Sequence, residues 1–159
     1  MKFWKKNQTL LFLDTAVTEE TPAWARVGLS TVLDIALNAA TEDYDFIINE
    51  NPTTIVEKYQ PSLSQEIMAQ EGDTCFDYIW GLFYSMPTGS GAETDCLIAF
   101  PKAGTAPGSF DAWKMKATLI LNNFDAVAKK ITFEIKTSGD TALGTVSVKD
   151  GVPTFATAV

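Results

Sequence analysis

The chain has 159 residues, of which 46% are hydrophobic and 20% charged. This is an ordinary globular composition for one domain, able to bury about 68–70% of its unfolded surface and too apolar for a disordered chain. Twelve basic residues against twenty acidic ones give a net charge of −8, which disfavours tight sequestration of nucleic acid, and the absence of histidine excludes Ser-His-Asp, Cys-His and HExxH chemistry.

The chain opens MKFWKKNQTLLFLD, a basic head followed by an apolar LLFL. That apolar stretch is shorter than a signal-peptide core and Asp14 follows directly, so the segment reads as the start of a mature soluble protein. No stretch is long enough to span a membrane, and none is expected to insert into one. Thr9–Asp14 reads as a short strand or an arm that docks elsewhere, and Thr15–Pro22 as a polar linker. In AWARVGLSTVLDIALN, residues 23–38, Gly28 and the β-branched Thr31, Val32 and Ile35 favour strand. The polar, acidic stretch AATEDYDFIINENPTT, with its Asn51-Pro52 turn, predicts a long loop or extended hairpin. Thr54–Gln70 follows as a strand region carrying Pro61, which is confined to sheet edges and bulges.

Asp73–Met86 predicts a helix, capped by Asp73, with Phe76, Ile79, Trp80 and Phe83 at i, i+3, i+4 and i+7. Cys75, Ile79, Leu82 and Met86 make an adjoining stripe, and the two together predict a helix well buried against sheet. Pro87 and TGSG end it. The rest alternates with period two. Thr94–Phe100 is one strand, and Asp111–Asn122 sets Trp113, Met115, Ala117, Leu119 and Leu121 against Lys114, Lys116, Thr118, Ile120 and Asn122. Lys129–Thr137 sets Ile131, Phe133, Ile135 and Thr137 against Lys130, Thr132, Glu134 and Lys136. Leu143–Val148, Asp150-Gly151 and Val152–Ala158 read as a closing hairpin. The expected class is mainly β (α+β), an antiparallel sandwich or barrel with one packed helix.

Chemistry is sparse. Gly89-Ser90-Gly91 follows a helix and lacks the third glycine and the GK[ST] of a phosphate loop, so it reads as a connector. Glu42, Asp43, Asp45 and Glu50 lack the spacing of a calcium loop and read as a solvated or partner-facing surface. Cys75 and Cys96 are too few for a zinc site or a disulfide framework, and two buried thiols are preferred to a single bridge. No cofactor, no metal site and no catalytic residue is assigned, and the chain is not read as an enzyme.

Charge is distributed unevenly. Residues 1–6 carry +3, residues 7–101 hold fifteen acids against Arg26 and Lys58, and residues 102–159 hold seven lysines against five acids. A basic tip, an acidic middle and a mildly basic end suggest either complementary faces on copies of one protein or an acidic solvated surface.

In its order of elements the chain resembles the bacteriophage tail tube (major tail) proteins, a family related to the tubes of contractile injection systems. The resemblance rests on the early tryptophan strand ETPAWARVG, the loop NAATEDYDFIINENPTT, the region EKYQPSLSQEIMAQEGD running into the helix CFDYIWGLFYSM, and the strand FDAWKMKATLILNNF. A closing hairpin completes it, with Gly144-Thr145, Gly151 and Thr154-Phe155. The resemblance implies a single domain over residues 1–159, with an arm over about 1–20 and a long polar stacking loop over about 38–53. It implies hexameric rings whose strands close one inter-subunit β-barrel, stacked into a hollow tube. Ring stacking would then involve Phe3, Trp4, Leu11, Phe12, Glu42, Asp43, Tyr44, Asp45, Asn49 and Glu50. Alternation nominates Asp34, Glu57 and Glu66 as acids of an electronegative lumen through which DNA passes without sticking, while Lys114, Lys116, Lys130 and Lys136 face acidic neighbours or solvent. Implied partners are further copies, a tape measure, a tail terminator, a baseplate or initiator, and DNA in transient passage. The implied location is the virion tail, and the host cytoplasm during assembly. Three other readings stay open: the tube of a contractile particle, a monomeric β-barrel carrying a small apolar ligand, and a carboxylate hydrolase.

Overall fold

The computed structural model describes residues 1–16 and 20–157; part of the expected linker, residues 17–19, and the last residue of the predicted closing strand, Ala158, lie outside them. Ten strands and one α-helix follow in order: β1 (Leu10–Asp14), β2 (Trp24–Arg26), β3 (Asp34–Ala36), β4 (Ala40–Tyr44), β5 (Thr53–Lys58), β6 (Ser62–Met68), α1 (Thr74–Ser85), β7 (Glu93–Ala103), β8 (Phe110–Asp125), β9 (Lys130–Lys149) and β10 (Val152–Thr157). Eight strands form one antiparallel sheet in the order β2-β1-β7-β8-β9-β6-β3, with β10 also paired to β9; β4 and β5 form a separate two-stranded sheet. The mainly β architecture with a single helix is the expected one.

Alternation in β8 and β9 decides which face is buried. Met115, Ala117 and Leu119 of β8 and Ile131, Phe133 and Ile135 of β9 join Leu63 and Ile67 of β6 in the main core. The helix α1 covers this core with Cys75, Phe76 and Ile79. Its start is fixed by Asp73, whose Oδ2 accepts the Phe76 N–H at 3.0 Å. Its end is fixed by Met86 in the left-handed region at φ 49°, just before Pro87.

The helix departs from expectation at Trp80 of the stripe Phe76, Ile79, Trp80 and Phe83, and at Met86 of the adjoining one. Trp80, Tyr84 and Met86 are exposed, and Trp80 stacks instead on Phe83 and, edge-on, on Phe124 at the end of β8, with ring centroids 5.6 Å apart in each case. Aromatic rings that pack on one another at the surface leave only one stripe for the sheet.

A second, smaller core lies on the opposite face, where Phe12, Leu97, Ala99, Ala112 and Val146 cluster and Trp24, Val148 and Phe155 pack against them. It forms because β8 and β9 bend. Their register shifts between Met115 and Lys116, and Gly139 in the facing strand sits at φ +81°, a bulge that sharpens the local twist. The strand therefore runs on through the bend as one element, β9, where the sequence reading starts a new strand at Leu143. The Asp150-Gly151 turn has φ +53° and +78°, the two positive angles a two-residue hairpin of this type demands.

Two corrections concern the candidate arm. Leu11 and Phe12 are buried in the chain's own sheet, between β2 and β7. Because both faces of the sheet are covered there, consecutive residues Leu11, Phe12 and Leu13 can all be apolar, the mark of a fully buried strand. Burial in their own sheet removes them from the ring-stacking set, and of the expected arm only the segment before Leu10 precedes the first strand. The connection back to β2 is held by buried Asp14, whose Oδ1 accepts the Ala16 and Ala23 N–H groups at 2.9 and 3.0 Å. The region Thr54–Gln70 also divides at Pro61. Its first half pairs with β4 outside the main sheet, and its second half is β6 inside it.

Candidate assembly surfaces

The stretch predicted as a loop or extended hairpin is a hairpin. β4 pairs with β5 from Ala40↔Lys58 to Tyr44↔Thr53, and Asn38 anchors its base by donating from Nδ2 to the Gln60 carbonyl and the Ser62 hydroxyl. Along it, the Thr54 hydroxyl donates to Asp43 Oδ1 at 2.6 Å and the Tyr44 hydroxyl to Glu57 Oε1 at 3.3 Å. At the tip, the Asn49 N–H donates to the Phe46 carbonyl at 3.0 Å, and Tyr44 stacks on Phe46 at 5.7 Å.

Glu42, Asp43, Tyr44, Asp45, Asn49 and Glu50 are all exposed on this hairpin. So are three residues the sequence reading passed over, Phe46, Ile47 and Ile48. A two-stranded ribbon has little surface on which to bury apolar residues, so Ile47 and Ile48 are left in water and Phe46 is half-covered by its stacking on Tyr44. The signal was present as the FII run between acids.

The N-terminal segment is a second exposed feature. Phe3 is 83% and Trp4 61% exposed. Together with Lys6, Asn7 and Thr9, Trp4 borders an open groove of about 710 Å³ whose other wall runs from Arg26 through Leu33 to Ile35, with Phe100 and Pro101. Arg26 and Lys6 are the charged residues of this lining, and no acid joins them.

The third surface is the open face of the sheet. Cross-strand register places Asp34 opposite Ser64 and Ser64 opposite Glu134, with Glu66 two residues along the same strand. The same face continues through Lys136 and Thr118 to Glu93, and through Lys116 to Asp95. Of the candidate acids, Asp34 and Glu66 share this face, whereas Glu57 stands apart in the hairpin. Glu66 is also not a free charge, since Lys130 Nζ lies 3.3 Å from its Oε2 and the Thr31 hydroxyl donates to it. Lys130 thus meets its acid within the chain, and Lys114 lies over the Trp24 ring, 6.0 Å from its centroid.

Catalytic equipment is thin around these surfaces. Among the described residues, no three acids or cysteines come together as a metal site, and no helix is long and apolar enough to cross a membrane. Cys75 and Cys96 are free and buried. Burial first, then a nearby acid (Asp73 and Asp95 respectively), pushes each thiol up from 9.0 to about 12, so neither is a nucleophile at neutral pH.

No protein-family model and no curated protein matches the sequence. Solved structures do. A chain from the tail of an empty gene transfer agent (GTA) particle, refined helically with C6 symmetry, superposes with a TM-score of 0.61 at 12% identity, over 88% of this chain and 98% of that one. The chain has the fold of that tail chain. A chain from the virion of the native GTA particle superposes equally well, with a TM-score of 0.62 at 11% identity, over 89% of this chain and 98% of that one. The shared fold spans both the sheet and the helix, and the identity is too low to carry individual residues across.

Proposed function

We propose that this chain is a structural, non-enzymatic subunit of a phage-type tail tube. Six copies form a ring in which strands of neighbouring copies close one β-barrel, and rings stack into a hollow tube. The observation that carries this reading is the shared fold with a chain of a C6-symmetric tail, covering nearly all of both chains. Closure of the sheet around the ring removes free edges such as the three-residue strand β3. Stacking falls to Phe3 and Trp4 at the N-terminal segment and to the hairpin with Glu42, Asp43, Tyr44, Asp45, Asn49 and Glu50.

The open sheet face, with Asp34, Glu93, Asp95 and Glu134 beside Lys116 and Lys136, is the proposed lumen wall. With Glu66, Lys114 and Lys130 of the same face counted, five acids stand against four lysines, and a face without net positive charge gives phosphates no strong hold, so DNA passes through without being retained. Tape-measure, terminator and initiator proteins are the further partners, the virion tail is the final location, and assembly takes place in the host cytoplasm.

Negative-stain microscopy with light scattering on the purified chain tests this reading. Rings or hollow tubes of uniform width are expected, alone or when tail-initiator complexes are added. A strictly monomeric species under both conditions would refute it.

A further inference from the structure

The stacking reading leaves open what the hairpin tip touches, and the inference here rests on that reading. We propose that the groove beneath the N-terminal segment receives the β4–β5 hairpin tip of a second copy from the adjacent ring.

Charge and chemistry match across the two features. The tip presents exposed Phe46, Ile47 and Ile48 flanked by Asp43, Asp45 and Glu50. The groove offers apolar Trp4, Leu33 and Ile35 with Lys6 and Arg26 in its lining; the exposed Lys2, Lys5 and Asp34 stand next to it in the chain, so basic residues outnumber acidic ones around it. An acidic, apolar knob therefore meets a basic, apolar hole of the same protein, which is the pattern that fixes register between like subunits. Arg26 is notable in this respect, because it and Lys58 are the two basic residues among the seventeen charged ones between residues 7 and 101.

Within one copy the hairpin contributes no residue to the groove lining. The segment bearing the groove wall pairs with β6 at Ser30↔Ile67, while its other end is tied at the hairpin base, where the Gln60 N–H donates to the Leu37 carbonyl. The hairpin leaves the ladder at its Ala36↔Ser62 end, and the groove wall runs along the ladder from the Ser30↔Ile67 bridge to Ile35 opposite Leu63. A knob and a hole on separate parts of one surface can be satisfied reciprocally in a two-fold pair or successively head to tail, and the head-to-tail arrangement is the one that repeats along an axis, as the proposed stacked tube requires.

The test pairs cross-linking with charge reversal. In a Leu33→Cys/Ile47→Cys double variant, oxidation of assembled tubes should give a ladder of covalent multimers on a non-reducing gel, and neither single variant should. The native thiols stay silent, because both are buried and protonated. Separately, Lys6→Glu/Arg26→Glu should raise the concentration needed for assembly by about tenfold or more, and adding Asp45→Lys/Glu50→Lys should restore it. These four positions are exposed, so circular-dichroism melts of the charge variants should match the wild type and keep the test valid if the cysteine pair folds poorly. Tubes that form normally with the reversed groove charges, and that give no ladder, would overturn the groove contact while leaving the tube reading intact. A wild-type chain that never forms rings, even with initiator complexes, removes both.

Discussion

The sheet and the hairpin solve the same problem in opposite ways. In the sheet, β8 and β9 run beside each other for most of their length, and the residues they turn inward are covered by α1 on one face and by the curled β9–β10 end on the other. In the hairpin, β4 and β5 pair only with each other, Ile47 and Ile48 stay in water, and Phe46 is half-covered by Tyr44. An isolated ribbon of this kind is marginal in water, and its form here depends on an anchored base at Asn38 and Gln60. Stability therefore resides in the sheet, and unsatisfied apolar surface in the hairpin. A molecule so divided leaves apolar surface at the tip for the proposed neighbouring copy to cover.

The largest effect should come from breaking the sheet. Phe133 is fully buried in the main core between Ile131 and Ile135 of the same strand face, so Phe133→Ala should cost about 3–5 kcal/mol in urea unfolding. That is a large share of the roughly 5–15 kcal/mol typical of a domain. A cost below about 1 kcal/mol would mean that the core tolerates a cavity and that the division between sheet and hairpin is weaker than argued.

A smaller effect of opposite sign sharpens the same point. Gln65 sits on β6 with its side chain fully buried, and neither amide atom has a partner among the described residues. Replacing it by leucine, of similar volume, removes an uncompensated polar group and should stabilise the fold by about 1–3 kcal/mol, read as a raised urea midpoint at unchanged slope. Destabilisation instead would show that the amide is held by a buried water.

The sheet was legible in the sequence because its physics is local. Period-two alternation located β8 and β9, Asp73 marked the start of α1, and Asp150-Gly151 marked the last hairpin. What the sequence did not reveal is where each strand goes. Alternation assigns Asp34, Glu57 and Glu66 to polar faces but not to sheets, so the placement of Glu57 in the hairpin could not be read. Thr9–Asp14 reads as either a short strand or a docking arm, because a short apolar run fits a buried intramolecular strand and an intermolecular one equally well; the strand is the outcome, so the stacking role given to Leu11 and Phe12 falls. The tip residues Phe46, Ile47 and Ile48 were overlooked for the same reason: three apolar residues among acids have no period to interpret.

The smallest effect on stability should accompany the largest on assembly. Ile47 and Ile48 are among the most exposed apolar residues of the chain, so the folded monomer gains nothing from them. Ile47→Ser/Ile48→Ser should shift the unfolding free energy by no more than about 0.5 kcal/mol, because each serine replaces a side chain already in water. In a stack, those side chains would leave water once per subunit contact, at about 1.5–3 kcal/mol for each fully buried aliphatic chain. Every subunit added to a tube repeats that loss, so the double variant should melt like the wild type yet sediment without tubes. Equal loss of stability and assembly would place the tip in the chain's own core, and loss of neither would leave Phe46 and the surrounding acids to hold the rings together.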